Sequence, residues 1–279
     1  MMKIINSYNE IMELFQVMDG QFDLELYKKY TKTITPSLFE KLWDDCQDYD
    51  FEQDVVPIME LAMNSLTKLT AINDSFNEVV KINLARVQEV AGVEFPVQVL
   101  LYLGLCNGAG WATTLDDEPI IMLGVEKMIE LDWVSVESVG GLIYHELGHI
   151  WHAAIGTMNQ STNGVHEEYL AQLYNEGIAM YFEQLCAGDY DKWSESKGDW
   201  WRWCMIHQNE VASEYIRRLD ANESCQDFFG DWCSYMGQSN IGYFLGYQLI
   251  DHLAQKYSLL ELANLTIKTV ADEFVAYVK

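Results

Sequence analysis

Two histidines four residues apart, His145 and His149, with Glu146 directly after the first, are the residues of this chain whose types and spacing point most directly to a chemistry. On an α-helix, positions i and i+4 share a face about 6 Å apart along the axis, so two imidazoles can close on one ion. Neutral imidazole is a standard zinc ligand. Glu146, one step round the helix, is better placed to take a proton from water than to bind the metal. The pattern is HExxH, in which an ion and a carboxylate base act together on a water molecule.

Two imidazoles and a water leave a tetrahedral ion one protein ligand short. The same segment does not supply it, because an extended pattern with glycine at 152 and histidine at 155 is not met: those positions are His152 and Ile155. His152 shares nearly the face of His145 but lies about 10 Å further along the axis, so a packing role is expected. Downstream, Glu176 and Glu168 compete, with His166 and Glu167 behind them. The stretch Glu167 to Cys186 reads as a helix whose apolar stripe runs Leu170, Leu173, Met180 and Leu185, with Gly177 in the same band. Glu176 falls inside that stripe, whereas Glu168 shares a face with Gln172, Asn175 and Ala179. A carboxylate on a buried face is costly unless something pairs with it, and a divalent cation would do so. Gly177 beside it lets two helix backbones approach closely. Glu176 is therefore the expected third ligand, with Glu168, a first-turn glutamate favoured by the helix dipole, as the alternative.

The elements that must position these residues are also legible. Val134 to Tyr144 runs into the histidine motif as a helix, with Ser135 as its candidate N-cap and Ser138 as the other choice. Upstream, Val97 to Leu105, Asn107 to Ala112 and Pro119 to Gly124 read as strands of a small sheet. Residues 1–94 read as mainly helical, with helices expected from Ser37 to about Asp48 and from Ser75 to Ala91. The expected organisation is an N-terminal helical region over 1–94 and a catalytic domain over 95–279.

Taken together, His145 to His149 followed by Leu173-Tyr174-Asn175-Glu176-Gly177-Ile178-Ala179 resembles the gluzincin metallopeptidases, notably the aminopeptidase N family, in which an Asn-Glu-Gly segment carries the glutamate ligand. Here 26 residues, Ile150 to Asn175, separate the second histidine from Glu176, more than is usual in that family. Glu168 keeps the usual spacing without the Asn-Glu-Gly context. An insertion over Gly156 to Gly164, of loop composition, accounts for the excess. A closer likeness is to bacterial proteins described as predicted zinc-dependent proteases. Its marks are Glu176-Gly177-Ile178-Ala179, the tryptophan-bearing region Trp193 to Trp203, and Gly242-Tyr243-Phe244-Leu245-Gly246-Tyr247. The resemblance implies an α+β fold: a mainly helical, thermolysin-like catalytic domain with a small β-sheet beside the active-site helix. It implies Tyr243 as the donor to the developing oxyanion, with Tyr247, one turn further, as the alternative. It also implies that an edge strand binds the substrate backbone, and Gly108, Ala109, Gly110 and Trp111 are the segment expected to do so. The family's Gly-x-Met-Glu-Asn exopeptidase signature is absent.

The expected function is thus a zinc-dependent peptidase with one Zn²⁺ per chain, held by His145, His149 and Glu176, with Glu146 as general base and Tyr243 as oxyanion donor. The alternative is a non-catalytic metal-binding or peptide-binding module on the same scaffold. Composition sets the limits. A net charge of −26 argues against nucleic acid and anionic lipid as partners; the peptidase reading implies a peptide or protein substrate. No run reaches 18 uncharged apolar residues, so no membrane span is expected. Six cysteines without a CxxC pair, and an N-terminus without a charged-then-apolar leader, fit a reducing, cytoplasmic setting.

Overall fold

Aliphatic runs too short for helices build a four-stranded sheet in the computed structural model of the protein, which describes residues 2–82, 84–188 and 198–278. Strands β1 (Met2–Asn6), β2 (Val97–Tyr102), β3 (Gly110–Leu115) and β4 (Glu118–Gly124) take the order β1-β2-β4-β3. The first three in that order are parallel, and β3 closes one edge antiparallel to β4. Strand β4 is buried from Ile120 to Gly124, the near-continuous apolar reading of a strand with neighbours on both sides. The β3–β4 turn is Asp116-Asp117, both with positive φ, as a tight two-residue hairpin requires. Asp116 is anchored by Thr35 Oγ1 at 2.8 Å and Ser37 Oγ at 2.6 Å.

The described residues fall into two units, Met1–Glu146 and Leu147–Lys279. The first holds the sheet and seven helices: α1 (Tyr8–Met18), α2 (Leu24–Ile34), α3 (Leu38–Asp45), α4 (Val56–Met63), α5 (Leu66–Ile82), α6 (Leu84–Ala91) and α7 (Val125–Glu130). A 3-10 turn over Cys46–Asp48 continues α3. The expected Ser75–Ala91 helix is the second half of α5 followed by α6. Residues 1–94 are mainly helical and also supply β1, whose parallel pairing with β2 ties them to the sheet. The two compact units divide after Glu146. Helix α8 (Val136–Ile155) carries the histidine motif. Ser135 caps it: its Oγ accepts the Ser138 N–H at 3.2 Å, while Ser138 Oγ accepts the Ser135 N–H at 3.1 Å.

In the second unit, α9 (Val165–Ala187), α10 (Gly198–Ala221), α11 (Ile241–Leu253), α12 (Leu259–Leu262) and α13 (Ile267–Val278) pack together. Residues 156–164 form the loop before α9, where the insertion was expected. Gly177 of α9 meets the Gly246 backbone of α11, and a Cβ at Gly246 would lie 2.9 Å from Gly177 N. The two helix backbones are in contact there, so both positions need glycine. His152 is fully buried, and its Nε2 donates to the Ala263 carbonyl at 3.1 Å with Tyr174 edge-on to the ring. Burial above all, with His149 nearby, lowers its pKa to about 4, so it packs as a neutral ring. Among the described residues, no helix is long and apolar enough to cross a membrane.

Candidate metal centre

Helix periodicity puts His145 and His149 on one face of α8, and the one small residue in the motif, Gly148, lets α9 come against it. A Cβ on Gly148 would lie 2.9 Å from Ala179 Cα and 3.1 Å from Phe182 Cβ, so the α8 and α9 backbones touch at that level. Glu176 sits almost one turn before Ala179 on α9, which sets its carboxylate beside His149: Nε2 to Oε2 is 3.2 Å. One ligand atom from each of His145, His149 and Glu176 lies within 4.8 Å of the other two. Around a tetrahedral zinc with bonds near 2.0 Å, neighbouring ligand atoms stand about 3.3 Å apart. The 3.2 Å between His149 Nε2 and Glu176 Oε2 is close to that spacing. Two imidazoles and a carboxylate are a donor set that could hold a divalent metal ion.

The side chains of this group are mostly withdrawn from water. His149 and Glu176 side chains retain 10% and 17% of their accessible surface. Glu168, by contrast, lies on the exposed face of α9, and His166 Nδ1 is engaged with the Leu219 carbonyl at 2.9 Å. Glu167 accepts from the Asn163 backbone N–H at 2.7 Å. None of these three belongs to the cluster.

Glu146 is buried, and its carboxylate lies against the edge strand. A Cβ on Gly110 would fall 2.5 Å from Glu146 Oε1 and 2.6 Å from Leu142 Cδ1, so only glycine lets β3 come this close. The Gly124 N–H donates to the Ala109 carbonyl at 3.0 Å, making 109 and 124 a hydrogen-bonded pair of the antiparallel ladder. Alternation then turns the N–H and C=O of Gly110 and Ala112 outward, to the open edge of the sheet. Pro119 falls at a non-bonded position of the same ladder, where its missing N–H costs nothing. Gly108, with φ +142°, makes the bend into the strand, and the Trp111 ring lies under Lys41 Nζ at 4.5 Å.

On α11, Tyr243 and Tyr247 flank Gly246, the point of closest approach to Gly177. Tyr247 is buried with Met180, one turn past Glu176, and Tyr243, Tyr181 and Trp201 pack on that pair. Tyr243 also meets the Phe229 ring edge-on at 5.6 Å. The tryptophan-bearing region braces this helix: Trp200 Nε1 donates to the Ser239 carbonyl at 2.8 Å, and Trp201 stacks edge-on to Phe244 at 4.9 Å. Trp193 lies outside the described residues. Two features escaped sequence reasoning. Gly148 could have been read from its place inside the motif, one residue before His149. Lys41 over Trp111 carries no local signal, since the two lie 70 positions apart. Compared with known protein families, with characterised proteins and with solved structures, the chain matches none.

Proposed function

We propose that the protein is a zinc-dependent peptidase of the gluzincin type, acting on peptide or protein substrates in a reducing, cytoplasmic compartment. The observation that carries this reading is the convergence of His145, His149 and Glu176 within 4.8 Å, with the buried carboxylate of Glu146 on the same helix. Six free thiols support the compartment. When bound, zinc acts as a Lewis acid toward water and toward the substrate carbonyl. His145, His149 and Glu176 would hold it, with Gly148 and Gly177 setting how closely α8 and α11 approach α9. The outward N–H and C=O groups of Gly110 and Ala112 pair with an extended substrate, as an added strand would. Glu146, beside Gly110, accepts a proton from the attacking water and passes it to the leaving amine nitrogen. The Tyr243 hydroxyl donates a hydrogen bond to the oxygen on which negative charge develops.

The test is incubation of the zinc-loaded protein with a mixed peptide library, followed by mass spectrometry. Cleavage that stops on chelation and returns with zinc is expected. Tyr243→Phe should retain zinc and lower kcat by about 10²-fold, the usual loss of one oxyanion donor. Zinc binding without cleavage of any library member would overturn the peptidase reading in favour of a binding module.

A further inference from the structure

Glu126 is fully buried at the start of α7, outside the histidine motif, and no step described above uses it. Its Oε2 accepts the Gly104 N–H at 2.7 Å and its Oε1 accepts the Cys106 N–H at 3.2 Å. Two glycines make room for the carboxylate. A Cβ on Gly104 would run into Glu126 Oε1, and one on Gly124 would sit 3.0 Å from the same oxygen and 2.6 Å from the Gly108 carbonyl. The groups around it are Tyr27 and Tyr30 of α2, Cys46 after α3, Tyr102 at the end of β2, Cys106 and Lys127. Burial pushes the Glu126 carboxyl up to about 7 even though both N–H groups favour the charged form. Holding such a group is costly, and what it secures is a turn of backbone, not a cation.

That turn leads directly into the edge strand. Residues 103–108 connect β2 to β3, and after Cys106 come Asn107, Gly108 and then Ala109, whose carbonyl pairs with Gly124. The next residue, Gly110, touches Glu146. The Tyr27 hydroxyl and Leu103 carbonyl (2.9 Å), the Tyr30 hydroxyl and Leu103 N–H (2.8 Å), and Cys46 Sγ and the Leu105 carbonyl (3.1 Å) fix the first half of the turn. Glu126 fixes its middle through two N–H groups, one on each oxygen; a glutamine keeping that geometry would aim its own NH₂ at one of them.

We propose that Glu126 is a positioning residue for the hydrolysis proposed above: its carboxylate locks the 103–108 turn and thereby the register of Gly110 against Glu146 and of the edge strand that receives substrate. The role in hydrolysis rests on the peptidase reading, whereas the locking of the turn does not.

Hydrogen exchange followed residue by residue tests it. In the wild type, the Gly104 and Cys106 amides should be as protected as those of β2, although they lie outside the sheet ladder. Glu126→Gln should speed exchange over 104–112 at least tenfold, while zinc affinity stays within about twofold, since no ligand is touched. On any peptide the wild type cleaves, KM should rise about tenfold with kcat nearly unchanged, the loss of roughly one hydrogen bond to a charged group. A purely structural role would instead lower the amount of active enzyme, and with it the apparent kcat, at constant KM. Fast exchange of the two amides in the wild type would overturn the proposal even if Glu126→Gln does not fold. So would unchanged exchange in a folded variant, or a fall in kcat at constant KM. If the wild type cleaves nothing, the exchange result still decides whether Glu126 locks the turn.

Discussion

Glu146→Gln should keep fold and zinc and lose about 10²- to 10⁴-fold in peptide hydrolysis, the range that removal of a positioned general base produces. The side chain is buried and packed against Gly110, so a near-isosteric amide fits the same space. It cannot, however, accept the proton that the attacking water must release. The loss corresponds to about 3–5 kcal/mol of transition-state stabilisation. Because Glu146 is not among the three clustered ligand residues, zinc stoichiometry measured on the same sample should remain one per chain. A variant that hydrolyses as fast as the wild type would remove Glu146 from the mechanism. One that loses zinc along with activity would show that it acts as a ligand.

The second large effect separates two glutamates on one helix. Glu176→Ala removes one of the three proposed ligands and should cost zinc affinity well beyond the roughly 10- to 100-fold typical of an altered partner behind the ligands. Glu168→Ala should leave affinity unchanged, since Glu168 points to solvent two helical turns away and is outside the cluster. Competition with a chelator of known affinity ranks the two variants. The reverse ranking would restore the shorter spacing usual in gluzincins and assign the ligand to Glu168.

What could be read in advance followed helical spacing. His145, His149 and the apolar stripe around Glu176 are short-range patterns, so their faces were predictable from a 3.6-residue period. The pairing of Gly177 with another backbone was expected as a close approach, though not that Gly246 would be the partner. The stripe itself proved too narrow, because Tyr174, Ile178 and Phe182 are buried as well and α9 is enclosed on most sides. Strand β1 escaped notice: its five residues carry only two adjacent isoleucines, and its partner β2 lies 95 positions away. Pairing at that distance is set by tertiary packing rather than by local preference. Glu126 escaped for a related reason. A glutamate in the first turn of a six-residue helix reads as an ordinary exposed charge, and only the folded turn over 103–108 shows what it holds.

Anomalous diffraction from zinc-soaked crystals, recorded just above and just below the zinc absorption edge, identifies the ion and its ligands in one measurement. A single strong peak per chain is expected within about 2.0–2.2 Å of one nitrogen each from His145 and His149 and of a Glu176 carboxylate oxygen. No peak at this position, or a peak there ligated by Glu168 in place of Glu176, would contradict the metal centre described here.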